Sequence, residues 1–395
     1  MLILGGSIFQ LPVISRALKL GHRVITVDYA PHNPGHRLAH EYYNVSTTDH
    51  RAVLALARKL RIDGIIAFAS DPAAWTAAYV ADQMGLPGCP PAAVHVLTNK
   101  ALFRAFLRDH GFNTPRFAVA ADLPEACEVA RSMGFPVMVK PADSSGSKGV
   151  SRVDDAAGMG QAFRNAQHYS RCASVVVEQW IERDGTQIAG DGVVVDGKLA
   201  FSCLGDEHFD SECSAYAPVG ESFPGHLAAE RREMLLERLQ QLMALLGIDN
   251  LVFNLDAMFD NNGDLWLIEI GPRAGGNCLP LLIQHHTGVD MADIVIRQSL
   301  GAPVTLPLRP EKPPGFHASW MIHSRSPGKL RGLRMAPHLN PYTIDMQLTT
   351  STGAAVSRFT SSKDILGYAL FTFPSAAEME DNLACMATSL EPIVA

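Results

Sequence analysis

Along residues 1–90, short apolar runs alternate with longer amphipathic stretches: "MLILGG", "QLPVISRALKLG", "HRVITVDY", "RAVLALARKL", "DGIIAFAS" and "DPAAWTAAYVADQMG". Apolar strands of about five residues followed by helical patterns of about 10 to 15 are the mark of βαβ units that pair into a parallel sheet. A Rossmann-like unit is therefore predicted here. Its first turn, Gly5-Gly6-Ser7, is followed by Ile8, Phe9 and Gln10, so the full G-x-G-x-x-G is absent. A dinucleotide is not specified, although Asp28 would suit a ribose. Ligands of open parallel sheets sit beyond the carboxyl ends of the strands, which makes "FASDP" (68–72) a candidate lip for a small substrate. Asp71 also reads as the N-cap of the next helix with Pro72 at N1, and the cap is the preferred reading.

From 91 to about 135 the text is mostly helical, in "PAAVHVL", "NKALFRAFLRDHG" and "LPEACEVARSMG", with "RFAVA" between. "FPVMVK" reads as a buried strand, 154–168 as an amphipathic helix, and "SVVVEQWI" as a β-branched strand. A hairpin turned at Asp196-Gly197 follows, and a second, "LVFNLDAMFDNNGDLWLIEIGP", turns at Asn261-Asn262-Gly263. Between them a polar stretch over 206–224 reads as a long connection that contacts substrate or is simply mobile, and 225–246 as a long helix. Near 301 the composition shifts to "GAPVTLPLRPEKPPG", a proline-rich connection unable to continue a helix. Beyond it, 316–395 reads as a small α+β lobe with a closing helix from about 375.

With 47% hydrophobic and 18% charged residues in 395, the chain can bury two or three cores. The net charge of −7 is spread along the chain, which excludes a phosphate-backbone footprint and a basic membrane face. Neither nucleic acid nor membrane is an expected partner. Seven cysteines without a CxxC pair fit neither a disulfide framework nor a zinc site and read as reduced packing residues. The opening apolar run is too short for a signal peptide and no later one approaches a membrane span, so a cytoplasmic location is expected.

The chemistry starts at "VKPADSSGSKGV" (139–150), where a lysine ends an apolar run and a Ser/Gly loop carries a second. The order Gly146-Ser147-Lys148-Gly149 fails the G-x-x-x-x-G-K-[ST] template, and a strand resumes where a P-loop would open a helix. A flexible turn between strands can still wrap phosphates with backbone N–H groups and hydroxyls, Lys148 adding a point charge. Further along, Asp256 and Glu269 lie on adjacent hairpin strands. Carboxylates facing each other across a hairpin repel unless neutralised, and a divalent cation is the natural neutraliser. Solvated strand ends, or an ion pair with Arg273, are the plainer alternatives. His285-His286 point about 100° apart on a helix and do not suit a shared ion.

Five ordered motifs, the N-terminal unit with "NKALFRAFLRDHGFNTP", "FPVMVKPADSSGSKGV", "VVVEQWIERDGTQIAGDGVVVDGK" and "FNLDAMFDNNGDLWLIEIGPRAGG", resemble the ATP-grasp superfamily of carboxylate–amine ligases, of the L-amino-acid or dipeptide type. The resemblance covers roughly 1–300. It implies an α/β (α+β) fold with a Rossmann-like domain (1–90), a two-lobed ATP-grasp domain (91–300, lid at about 135–180) and a small C-terminal α+β lobe (301–395). It implies that Lys100 and Lys140 contact the ATP phosphates, that Ser144, Ser145, Gly146, Ser147, Lys148 and Gly149 close over them, and that Glu178, Gln179, Trp180 and Ile181 border the adenine. Gln187 stands where the family has a ribose-contacting acid. Asp256 and Glu269 match the carboxylates for Mg²⁺, with Mn²⁺ an alternative, and Arg273 the cation that steadies the acyl phosphate. Gly275, Gly276 and Asn277 would lie against substrate, with Asp71 a further candidate.

A second departure is Gly271, which replaces an asparagine that helps hold the second magnesium; Asn254 or water would have to substitute. The implied reaction transfers the γ-phosphoryl to a carboxylate and lets an amine attack the acyl phosphate, under a lid that excludes water. The loop is accordingly expected to be poorly ordered without nucleotide and closed with ATP and Mg²⁺. The expected partners are a small carboxylic acid and an amine, and the expected assembly a homo-oligomer such as a dimer. A carboxylase using bicarbonate with a small amine acceptor, and a nucleotide-binding protein without turnover, are the alternatives.

Overall fold

The computed structural model describes residues 1–306 and 315–395. The proline-rich connection expected over 301–315 therefore lies largely outside the described residues. The N-terminal unit runs β1 (Leu2–Leu4), α1 (Leu11–Lys19), β2 (Ile25–Val27), α2 (Gly35–Leu38), β3 (Glu41–Tyr43), α3 (His50–Leu60), β4 (Ile65–Ala67) and α4 (Asp71–Met84). Its strands form a parallel sheet in the order β3-β2-β1-β4. The fully buried β1 accounts for its continuous apolar run, since a parallel strand is covered on both faces. An added Cβ on Gly6 would lie 2.2 Å from His36 Cε1, so the first βα turn is filled by this chain's own side chains.

Helices α5 (Pro91–Thr98) and α6 (Lys100–Asp109) lead into a smaller antiparallel sheet, made from β5 (Phe117–Ala120), α7 (Leu123–Met133), β6 (Val137–Pro141), β7 (Ser151–Val153), α8 (Met159–Tyr169) and β8 (Val175–Gln179). Its order is β5-β8-β6-β7, with α7 and α8 supplying an alanine-rich core beneath it. The helix expected from 154 begins only at Met159.

The large sheet takes β9 (Arg183–Val195), β10 (Lys198–Phe209), β11 (Pro218–Phe223), β12 (Leu251–Asp260) and β13 (Leu265–Gly271), with α9 (Ala229–Leu245) packed on it and α10 (Leu279–Thr287) and α11 (Met291–Ser299) following. Asp196 and Gly197 both adopt positive φ in the β9–β10 turn, the conformation a two-residue hairpin loop demands. The remaining elements are β14 (Phe316–Ile322), β15 (Gly328–Met335), β16 (Thr343–Leu348), β17 (Ala355–Val356), β18 (Gly367–Phe373), α12 (Ala376–Ser389) and β19 (Leu390–Val394). Strands β14, β18 and β16 extend the large sheet to eight, in the order β13-β12-β9-β10-β11-β14-β18-β16, while β17-β15-β19 form a small sheet of their own. The C-terminal α+β segment thus continues the central sheet across the proline-rich connection.

The polar stretch expected as one long connection over 206–224 is mostly strand. Residues 206–209 end β10 and 218–223 form β11, leaving 210–217 as the loop. Buried carboxylates, Asp206, Glu207 and Glu221, occupy strand positions that ordinarily carry apolar residues. That substitution masked the strand pattern.

Candidate active site

The small sheet and the large sheet face each other across a cleft of ≈ 390 Å³. Lys100, Lys140, Ser144, Ser145, Ser147 and Lys148 line one side of it; Glu178, Gln179, Trp180 and Ile181 line its hinge; Gln187, Asp256 and Glu269 line the other. Arg273, Asp71 and the Gly275–Asn277 turn are not part of this lining.

Lys140, next to last in β6, hydrogen-bonds Glu178 on the neighbouring β8. The other oxygen of Glu178 accepts from Arg104 Nε at 3.0 Å. Burial alone would raise the Glu178 carboxyl, but the Arg104 and Lys140 charges overcome it and hold it down at about 2. Burial lowers the Lys140 ammonium in spite of Glu178. The Glu178 side chain is thus engaged in seating Lys140. Arg104 was missed by the sequence reading, yet it lies one helical turn from Lys100 and so on the same face of α6.

Asn99 caps α6 by accepting from the N–H groups of Ala101 and Leu102 at 3.0 and 3.1 Å. This places Lys100 in the first turn, where its ammonium reaches Glu269 Oε2 at 2.9 Å and the Ser144 carbonyl at 2.9 Å. The loop takes positive φ at Gly146, Ser147 and Gly149. Ser147 Oγ donates to the Tyr216 carbonyl at 2.7 Å, and the Ser362 N–H donates to the Gly146 carbonyl at 3.2 Å. Lys148 is half-buried, and burial lowers its ammonium.

Asp256 and Glu269 are direct cross-strand partners on β12 and β13. Among the described residues Asp256 makes no ion pair, and burial together with the Glu269 charge pushes its carboxyl up to about 7. Two facing, under-neutralised carboxylates are the donor set a hard divalent cation takes, so these residues fit the implied metal. The ion pair with Arg273 considered for them is not formed.

Arg273 Nη2 instead donates to Asp71 Oδ2 at 2.6 Å. The expected N-cap role of Asp71 is corrected accordingly: Ser70 is the N-cap, and Asp71 and Pro72 are the first two helical residues. From N1 the Asp71 carboxylate is free to leave its own helix and reach the arginine. Asn254 is the cross-strand partner of Gly271, but its amide donates to the Gly190 carbonyl and Asp191 Oδ1 at 2.9 and 3.1 Å, away from a metal role. Gln187 Nε2 donates to Glu207 Oε2 at 2.5 Å.

Sequence reasoning also missed three buried carboxylates. Asp191 accepts twice from the Gly275 N–H, at 3.0 and 2.9 Å, and so pins the turn after Arg273. Burial nonetheless raises it to about 6. Glu207 and Glu221 are cross-strand partners on β10 and β11. Burial raises both, Glu221 to about 7, and Ser319 Oγ donates to Glu221 Oε2 at 2.7 Å. Asn277 and Cys278 adopt positive φ in the turn before α10, and Gly275 borders a second cavity of ≈ 340 Å³ with Ile8, Phe9, Phe68 and Tyr368. His286 contacts His317 and His285 is exposed, neither in the cleft, and all seven cysteines are free. No helix among the described residues is long and apolar enough to cross a membrane.

Residues 133–281 match a family model described as "ATP-grasp domain". The uncharacterized protein y4rH of Sinorhizobium fredii is 25% identical over 354 residues, 86% of this chain and 71% of that protein. A D-alanine–D-alanine ligase of Stutzerimonas stutzeri is 31% identical over 192 residues, 47% of this chain and 59% of that enzyme. The solved L-amino acid ligase of Bacillus licheniformis shares the fold at a TM-score of 0.83 and 20% identity, over 100% of this chain and 98% of its own. The family match falls on the segment that runs from β6 to the start of α10 and builds much of the cleft, and residues 133–281 of the chain form an ATP-grasp domain.

Proposed function

We propose that the chain is an ATP-dependent ligase that activates a carboxylate as an acyl phosphate and joins it to an amine, with amino-acid-like substrates. One observation carries this reading: Lys100 bridges the Ser144 carbonyl of the loop and the Glu269 carboxylate of the opposite sheet. Cations suited to phosphate and carboxylates suited to a metal therefore meet in one cleft. Phosphoryl transfer asks mainly for such positioning and neutralisation.

In this reading Lys100 and Lys140 hold phosphate oxygens, Ser144 to Gly149 cover them, and the backbone at Gln179 to Ile181 meets the adenine edge, with Gln187 toward the ribose. Asp256 and Glu269 hold magnesium, or manganese, which supplies charge neutralisation when bound. A carboxylate oxygen of the acid attacks the γ-phosphorus and ADP leaves. The amine nitrogen then attacks the acyl carbon, loses a proton, and phosphate departs with the C–O bonding pair. Arg273 steadies the charge that develops on the acyl group, and Gly275 to Asn277 border the substrate. The second cavity beside Gly275, where Ile8, Phe9 and Phe68 meet the charged Arg16, Lys19 and Asp290, and the fold shared with an L-amino acid ligase support amino-acid-like substrates.

The test is phosphate release across a library of acids and amines. Release that needs both an acid and an amine, with ADP as co-product, is expected; release driven by bicarbonate alone, or ATP binding without turnover, would overturn the reading. Arg273→Ala is expected to abolish turnover while sparing ATP binding.

A further inference from the structure

Asp71 and Arg273 come from different parts of the chain, 202 residues apart, and meet at 2.6 Å. Their side chains are only 14% and 10% exposed. Among the described residues Asp71 is the one carboxylate ion-paired with this guanidinium, whose Nη1 otherwise donates to the Ala274 carbonyl at 3.2 Å. Glu269 and Asp191 both lie near enough for their charges to act on Arg273. An arginine released from Asp71 would be drawn toward those carboxylates and away from its present direction.

Gly271 adds an independent observation. Its φ is not in the left-handed region, so the backbone there does not require glycine. Space does: an added Cβ would lie 2.9 Å from Asp71 Oδ1 and 2.9 Å from Arg273 Cζ. The pair occupies the room that a side chain at 271 would fill. Asp71 Oδ1 and Arg273 Nε are both buried without a hydrogen-bond partner. Unsatisfied buried groups are costly and persist where function holds them.

Building on the role proposed above for Arg273, we infer that Asp71 is the positioning residue for Arg273, and that Gly271 is glycine to admit that pair. The N-terminal domain thereby contributes to the site by aiming the arginine, rather than by capping a helix.

The experiment compares Asp71→Asn, Asp71→Ala, Gly271→Ala and the Asp71→Ala/Gly271→Ala double variant with Arg273→Ala, after unfolding midpoints and ATP binding have been matched to wild type. Asp71→Asn, which keeps size and removes charge, covers the case in which Asp71→Ala does not fold. Each single variant should lower kcat at least about tenfold while KM for ATP stays within about twofold, and the double should be no worse than its larger single. A purely structural role would not produce that split or that non-additivity. Should Arg273→Ala retain turnover, the proposed role of the arginine fails and this inference with it. Should Arg273→Ala lose turnover while both Asp71 variants keep kcat within about twofold, or the two losses add, this inference alone fails.

Discussion

Arg104 Nε donates to Glu178 at 3.0 Å while its Nη1 donates to the Leu267 carbonyl at 3.1 Å. One buried guanidinium therefore ties β8 of the small sheet to β13 of the large one. Lys140 is seated on the same glutamate, so the orientation of this cleft lysine depends on a buried carboxylate that Arg104 also holds.

Arg104→Met should be strongly destabilising, because it leaves Glu178 and Lys140 buried with one charge fewer to balance them. Breaking a buried ionic cluster from one side costs about 3–5 kcal/mol. Urea unfolding reads that loss directly. Titration calorimetry should show weaker ATP binding in parallel, and Arg104→Lys should not rescue it, since an ammonium cannot span both acceptors in the planar fork of an arginine. Unfolding free energy within about 1 kcal/mol of wild type would show that the seam is not structural.

The same glutamate sets an acid limit. Its folded carboxyl sits at about 2, below its ordinary value. A depressed carboxylate stabilises the fold above its unfolded pKa, about 4.3, and that contribution disappears as pH falls through the folded value. Stability should therefore decline between about pH 4.5 and pH 2, and Glu178→Gln, which has nothing to protonate, should lose this part of the slope. Unfolding free energies measured down that range in both proteins decide it.

Much of the site was legible because its chemistry interrupts strong patterns. Lys140 ends an apolar run, and Asp256 and Glu269 fall on a hairpin whose turn at Asn261 to Gly263 sets their register opposite each other. Arg104, Asp191, Glu207 and Glu221 were not legible, since each is buried through partners on other elements that no local period reveals. Glu207 and Glu221 even hid the end of β10 and the whole of β11, because polar residues on an inward face look like a loop. Asp71 was assigned to its own helix for the same reason: a local cap is visible in sequence, and a partner 202 residues away is not.

The facing carboxylates predict opposite effects on fold and function. Asp256→Asn removes a like-charge contact, which burial makes costly, so the metal-free variant should be at least as stable as wild type by thermal unfolding. Its nucleotide binding should lose most of its Mg²⁺ dependence, a fall of at least about tenfold in the affinity gained on adding the metal. Undiminished Mg²⁺ dependence would remove Asp256 from the metal site.

The loop over the cleft can be tested through one close approach. Gly146 has φ 64, and a Cβ built on it would stand 2.1 Å from Ser362 Oγ and 3.0 Å from Ser362 Cβ. Gly146→Ala therefore carries both left-handed strain, about 1 kcal/mol, and a collision with the segment that receives the loop. In the proposed reaction an unseated cover would let water reach the acyl phosphate, so phosphate released per amide formed should rise above one as amide formation falls. Protease cleavage within 144–149 should be slowed by ATP and Mg²⁺ in wild type and much less in the variant. Ser362→Gly removes both colliding atoms, and in the Gly146→Ala background it should bring the phosphate-to-amide ratio back toward one. If that second change restores nothing, the contact between Gly146 and Ser362 does not seat the loop.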